Sequence, residues 1–163
     1  MADLKTVSAD VVREFLARNL TLGTAESLTA GLIAAAVADV SGASAVLMGG
    51  IVSYDTRIKR EVLGVDPQII DTHGVVSAAC ACQMAEGARK LLGADIAVSA
   101  TGVAGPTGGT PETPVGTVFI GVSCAQETCA EECHFTGDRQ SVREQSVAHA
   151  LDMALDCLMK HHP

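Results

Sequence analysis

The chain has 163 residues, 48% of them apolar, and a net charge of −8. That is enough to bury one sizeable core and too apolar for disorder, so a single domain over residues 1–163 is expected. The acidic balance, with a pI near 4.9, argues against direct nucleic-acid binding, which needs a basic footprint. It leaves room for a small anion held at a helix N-terminus or by one arginine.

The only aromatics are Phe15, Tyr54, Phe119 and Phe135, so the core must be built from Ala, Val, Leu and Ile. No basic segment precedes an apolar core at the N-terminus, and no secretory signal is expected. The apolar run from Leu28 to Val40 is too short to span a bilayer. A cytoplasmic protein without membrane contact is expected. Six cysteines occur, at 80, 82, 124, 129, 133 and 157. Disulfides are not expected in that compartment. Cys124, Cys129, Cys133 and His134 are the imaginable zinc ligands, but no CxxC pair is present. The reading is therefore that no metal binds and that the cysteines are small buried hydrophobes.

In chain order, Val11, Val12, Phe15 and Leu16 recur at helical spacing, with Ser8 as N-cap and an end near Asn19. Leu22 to Ala25 is a short strand ending at Glu26-Ser27. Thr29 to Asp39 is an alanine-rich helix stopped by Ser41-Gly42. Ala45 to Tyr54 reads as a strand with a bulge or close backbone contact at Gly49-Gly50. Arg57 to Leu63 is a short helix, and Pro67 starts a turn. Ser77 caps a helix that runs to Leu92 and stops at Gly93. Ala94 to Ala100 is a continuous apolar strand, the pattern of burial on both faces. Thr101 to Pro114 is a long Gly/Pro/Thr loop. Val115–Cys124 and Thr128–Thr136 form a hairpin turning near Ala125-Gln126. A last helix, capped by Asp138 or Thr136, carries an apolar stripe from Val142 to Leu158. Helices alternating with strands, then a hairpin, define an α/β fold with a mixed sheet and helices on both faces.

Ligands in such folds bind beyond the strand ends at one edge of the sheet. Ser27, Tyr54 and Thr101 all fall at predicted strand ends. A serine is inert until a base takes its proton, and a buried lysine such as Lys59 can be that base. Most serines before a helix are N-caps, and most lysines on short helices are solvated. Tyr54 can stack on a flat ring, donate a hydrogen bond, or simply pack. The loop holding Gly102, Gly105, Gly108 and Gly109 is neither GxGxxG nor a P-loop, yet its glycines permit close approach to a ligand. Arg139 opens the last helix, where a cation opposes the dipole unless an anion lies between them. His73 and His134 are read as structural.

Six segments together resemble the CinA C-terminal domain family, the nicotinamide-nucleotide amidohydrolases. They are Ala25-Glu26-Ser27-Leu28-Thr29-Ala30-Gly31; Val52-Ser53-Tyr54 with Lys59; His73-Gly74-Val75-Val76-Ser77; Thr101-Gly102-Val103-Ala104-Gly105-Pro106 with Gly108-Gly109; Pro114-Val115-Gly116-Thr117-Val118; and Gly137-Asp138-Arg139. The resemblance spans residues 7 to 158 in the family's order. Many members carry Cys at Leu28, Gly at Ala30 and Glu at Ala78.

The resemblance implies a three-layer α/β/α sandwich with a mixed sheet. It also implies hydrolysis of nicotinamide mononucleotide to nicotinic acid mononucleotide and ammonia. The family's catalytic serine and lysine fall on Ser27 and Lys59, with Tyr54 and Thr101 expected to position the lysine or relay its proton. Backbone N–H groups of the helix after Ser27 are expected to hold the oxyanion. Thr29, Gly31, the four loop glycines and Arg139 are the expected substrate-binding set, with the phosphate at Arg139. No cofactor is expected. The partner is a small nucleotide, and the alanine-rich helices are expected to support a homo-oligomer. A different reading is a non-catalytic module that binds a nucleotide or protein in competence or DNA damage. A third is a Ser-Lys amidase for another amide.

Overall fold

The computed structural model describes residues 3–163. The elements are α1 (Leu4–Ala17), β1 (Leu22–Glu26), α2 (Leu32–Ala38), β2 (Leu47–Val52), α3 (Thr56–Glu61), α4 (Pro67–His73), α5 (Ala78–Leu92), β3 (Ile96–Gly102), β4 (Thr117–Ser123), β5 (Thr128–His134) and α6 (Arg139–His161). A short 3-10 turn at Ala43–Ala45 precedes β2.

Connection length decides strand direction. β1, β2 and β3 are joined by helices, which let each strand return parallel, whereas β4 and β5 are joined by a tight turn and must be antiparallel. The sheet order is β2-β1-β3-β4-β5, with β1 parallel to β2 and β3, and β4 antiparallel to both neighbours. The C-terminal ends of β1, β2 and β3 therefore share one edge. β1 is buried along its whole length, while the edge strands β2 and β5 alternate with more exposed positions. The parallel register slips between Leu22 and Gly23, opposite Leu47–Gly49, the irregularity that the glycine pair predicted.

Alternation along β3 sorts the two faces. Ile96, Val98 and Ala100 enter the core beneath α1, α2 and α6. Ala97 joins a smaller cluster beneath α5, with Cys80, Met84 and Ala88. Between them Ser99 donates to the Ala81 carbonyl at 2.6 Å. α5 lies so close to β4 that a Cβ on Gly121 would sit 2.5 Å from that same carbonyl. The result is an α/β fold of three layers, helices on both faces of a mixed sheet.

Local signals placed α5 as expected: the Ser77 hydroxyl accepts from the Cys80 N–H at 3.2 Å, and Gly93 ends the helix at φ +63°. Asp138, not Thr136, caps α6 through the Ser141 N–H. Four expectations need correction. α1 begins at Leu4, with Asp3 at the cap position, and Ser8 is buried within it. α2 begins at Leu32 and not Thr29, because Ala30 and Gly31 take positive φ. A helix, α4, replaces the simple turn at Pro67, since Asp66 caps it at the Gln68 N–H and proline suits a first helical position. β3 continues through Gly102, so Thr101 lies inside a strand. Among the described residues no helix is long and apolar enough to cross a membrane.

Candidate active site

Lys59 is the most unusual residue of the fold, a lysine 2% exposed. Its helix starts where the Asp55 carboxylate accepts from the Arg57 N–H at 2.8 Å, and one turn later the side chain points inward beneath β1 and β2. Nζ lies 2.7 Å from the Ser53 carbonyl, 3.1 Å from the Tyr54 carbonyl and 2.9 Å from Ser27 Oγ. Among the described residues it pairs with no carboxylate. Burial lowers its pKa below the ordinary lysine value, while nearby Cys80 and Asp55 pull weakly the other way. Cys80 is a neutral neighbour, because burial pushes its thiol up to about 11. Nζ donates to all three oxygens as an ammonium; as a neutral amine, two N–H groups would serve the carbonyls and the lone pair would be free to accept from the Ser27 hydroxyl.

Ser27 stands on a strained turn. Its own N–H donates to the Ala100 carbonyl at 2.9 Å, continuing the β1–β3 ladder one residue past the strand. The chain then reverses through Leu28 and Thr29, with Ala30 at φ +48° and Gly31 at φ +99°. Glu26, 1% exposed, holds this reversal from beneath. Its carboxylate accepts from the N–H groups of Ile33 at 2.7 Å and Ala34 at 3.1 Å, and from the Thr24 hydroxyl at 3.1 Å. A carboxylate at the start of a helix satisfies orphan donors and opposes the dipole's positive end. Arg143 of α6 holds the turn from the other side, donating to the carbonyls of Leu28 at 2.8 Å and Thr29 at 3.3 Å.

This arrangement narrows the expected oxyanion donors to those nearest Ser27. The first free N–H groups of α2 are taken by Glu26 and are not available to a ligand. The N–H groups of Leu28 and Thr29, in the turn itself, have no acceptor among the described residues. They lie immediately after the serine, where an acyl oxyanion would form.

Ser27 and Lys59 line a cavity of about 300 Å³, walled by Tyr54, Thr101, the loop from Gly102 to Gly108, and Arg139. Arg139 donates to the Gly105 carbonyl at 2.8 Å and to the Tyr54 phenol oxygen at 3.0 Å. It thus ties α6, the glycine loop and the segment after β2 into one rim. Neither Arg139 nor Arg143 pairs with a carboxylate among the described residues; each faces neutral oxygens in an acidic protein. Gly105 is needed at φ +82°, and a Cβ on Gly102 would sit 2.6 Å from the Thr117 carbonyl.

The structure therefore brings together Ser27, Lys59, Tyr54, Thr101, Gly102, Gly105, Gly108 and Arg139. Thr29, Gly31 and Gly109 do not line the cavity. Thr29 is buried and its hydroxyl has no partner among the described residues. Gly31 shapes the entry to α2, and Gly109 packs against Val115. Tyr54 meets Lys59 through its carbonyl, while its phenol turns to Arg139. The Thr101 hydroxyl donates to the Val75 carbonyl at 2.8 Å, tying the segment before α5 to β3. Glu26, Arg143 and Cys80 escaped the sequence reading. An acidic residue inside an apolar strand was the available signal for Glu26.

The cysteines are all free, and Cys129 is exposed, contrary to the expectation that each is buried. Cys124, Cys129, Cys133 and His134 do not converge; among the described residues the group that does is Cys124, Cys157 and His161.

The family model described as the CinA C-terminal domain matches residues 4–158. A putative competence-damage inducible protein of Thermoanaerobacter sp. (strain X514) is 46% identical over 145 residues, covering 88% of this chain and 35% of that protein. A CinA-like protein of Thermotoga sp. (strain RQ2) is 47% identical over 142 residues, covering 87% and 35%. The chain thus spans about a third of the length of these curated relatives. A crystal structure of competence/damage inducible protein CihA from Agrobacterium tumefaciens superposes with a TM-score of 0.93 at 36% identity, covering 96% of each chain. A CinA superfamily protein from Escherichia coli superposes at 0.92 with 30% identity, covering 97% of this chain and 94% of that one. With its fold, its extent and its sequence all in agreement, the chain belongs to the CinA C-terminal domain family.

Proposed function

We propose that the protein hydrolyses the carboxamide of nicotinamide mononucleotide, giving nicotinic acid mononucleotide and ammonia through a Ser27–Lys59 dyad. The observation that carries this reading is the buried Lys59 amine, unpaired with any carboxylate among the described residues and 2.9 Å from Ser27 Oγ at the floor of a cavity. A solvated lysine and a capping serine do not produce that geometry: Ser27 caps nothing, since Glu26 serves α2 in its place.

The steps follow from the contacts. Neutral Lys59 takes the Ser27 proton as Oγ attacks the carboxamide carbon, and the carbonyl electrons move onto oxygen. The N–H groups of Leu28 and Thr29 receive that oxyanion. Collapse breaks the carbon–nitrogen bond, and the Lys59 ammonium passes its proton to the leaving amine, which departs as ammonia. Water then attacks the acyl-enzyme, giving its proton to Lys59, and Ser27 Oγ leaves with that proton as the acid is released. The Ser53 and Tyr54 carbonyls keep Nζ aimed throughout. This is the serine–lysine form of triad logic, with fixed carbonyls doing what an aspartate does for a histidine.

A cavity of about 300 Å³ is at the small end of ligand sites and suits the pyridine carboxamide, with the rest of the nucleotide toward the rim. Arg139 on that rim, with its charge uncompensated, suits the phosphate. Arg139→Ala should therefore weaken use of the mononucleotide and leave nicotinamide riboside little changed; an equal effect on both would remove the phosphate role.

The reading is tested by ammonia release from nicotinamide mononucleotide with chelator present, comparing the intact protein with Ser27→Ala and Lys59→Ala. Turnover that either substitution abolishes supports it. An intact protein that is inert on the mononucleotide but active on other pyridine carboxamides would move the substrate. One that is inert on every amide would refute the hydrolase.

A further inference from the structure

At the end of the sheet opposite Ser27, three metal-binding side chains converge that the hydrolase reading does not use. Cys124 follows β4 at the turn into β5, while Cys157 and His161 lie one helical turn apart near the C-terminal end of α6. One ligand atom from each lies within 4.8 Å of the other two. Residues at i and i+4 share a helix face, so α6 presents a thiol and an imidazole together. The hairpin turn supplies the second thiol.

Three further observations concern what this cluster would hold. His161 is 15% exposed at its side chain. Its Nε2 is buried and makes no aligned hydrogen bond, although Glu127 Oε1 lies 3.2 Å away. Cys157 and Glu127 border an open hollow of about 170 Å³, an entry path with room for a water. Glu131 and Asp156 border the same hollow, which gives it the negative potential that draws in a cation. Lys160 is its one basic lining residue and is held to Glu127 at 2.8 Å.

We propose that Cys124, Cys157 and His161 form a binding site for a thiophilic divalent cation, with Zn²⁺ as the fitting ion. Two sulfurs and one imidazole nitrogen are the donor set that zinc prefers over magnesium or calcium. Water occupies the fourth position from the hollow, and Glu127, 3.2 Å from the imidazole Nε2, adds a negative charge beside the ion. The site is structural in consequence: it joins the β4–β5 turn to the last turn of α6. It departs from the expectation that no metal binds, and it uses one of the cysteines named there but none of its partners.

The test needs no turnover, so its result is independent of the amidase reading. Reduced, untagged, chelator-stripped protein is titrated with Zn²⁺ against a chromophoric chelator, and separately with Co²⁺ to look for sulfur-to-cobalt charge transfer. One zinc per chain, a thiolate band with cobalt, and a melting temperature raised by about 5–10 °C at a hundredfold excess of zinc over its dissociation constant are expected. Mg²⁺ should do none of this. His161→Gln lies near the chain end and should fold even if Cys157→Ser does not. It and Cys124→Ser should weaken zinc binding by about a hundredfold or more. His134→Gln should match the parent. Zinc uptake that persists unchanged in His161→Gln and Cys124→Ser would overturn the site. So would no zinc uptake by the reduced protein.

Discussion

The turn after β1 and the turn after β2 both carry the chain from a parallel strand into a helix, but they are held by different means. The second is local: Asp55 caps α3 two residues on, and Lys59 follows from helical geometry. The first depends on distant groups. Glu26 reaches forward from beneath the sheet to the N–H groups of α2, and Arg143 reaches across from α6, 115 residues away, to the Leu28 carbonyl. The proposed nucleophile thus sits on a turn clamped by tertiary contacts, and its proposed base sits on a helix that nearby sequence specifies. Left-handed backbone at Ala30 explains the difference, since a strained turn persists only where its surroundings over-determine it.

The largest effect expected at either turn is on chemistry. Lys59→Met should lower amide turnover by about a thousandfold or more, measured as ammonia release, while circular dichroism stays that of the parent. Turnover within tenfold of the parent would show that the lysine on the local turn is dispensable. Next is Glu26→Ala, which strands the buried Ile33 N–H and the half-buried Ala34 N–H; a stability loss of about 2–4 kcal/mol is expected in a urea melt. Asp55→Ala, the equivalent change at the other turn, removes one exposed cap and should cost about 1 kcal/mol. Equal losses from the two would break the contrast. Arg143→Ala should cost about 1–2 kcal/mol and reduce kcat more than it raises KM, since it releases the turn that positions Ser27.

The smallest effects are on pH dependence. In the proposed mechanism Lys59 must be neutral to act, and burial holds its folded pKa below the ordinary 10.5, so activity should rise as pH rises through that lowered value. Asp55 favours the charged form. Asp55→Asn keeps a capping oxygen but removes the charge, and should move the acid limb of kcat/KM to lower pH. The same shift has a stability consequence. Between the lowered folded pKa and 10.5 the unfolded chain binds the extra proton, so stability rises with pH across that window. Lys59→Met should flatten that rise in denaturant melts recorded at several pH values.

Much of the scaffold was legible in the residues. Ser77 and Gly93 bound α5, Asp138 opens α6, and the tight link between two apolar runs marks the β4–β5 hairpin. Each of these signals acts within a few residues of what it specifies. The elements misread were those whose local signal competes with a remote one. Ser8 looks like a cap but is buried in α1, because Val7, Val11 and Phe15 continue the apolar face beneath it. The start of α2 moved from Thr29 to Leu32 because Ala30 and Gly31 take positive φ, a reversal that Glu26, on the preceding strand, holds by accepting from the Ile33 and Ala34 N–H groups. For the candidate site, the segments were visible and their meeting was not. The N–H groups left without an acceptor belong to the turn and not to the helix.

The sequence by itself determined the kinds of elements, most of their ends, and the presence of a serine and a lysine beyond two neighbouring strands. Hydrophobic periodicity and capping chemistry operate over one or two turns of chain, so they can be read there. Only the tertiary structure decided that Lys59 is desolvated, that Glu26 and Arg143 clamp the serine turn, and that Cys124 meets Cys157 and His161. Each of these joins residues from separate elements, and the parallel pairing of β1 with β2 and β3 that aligns them closes long loops. That closure is driven by burial of both faces of the sheet, a property of the assembled layers and of no single segment.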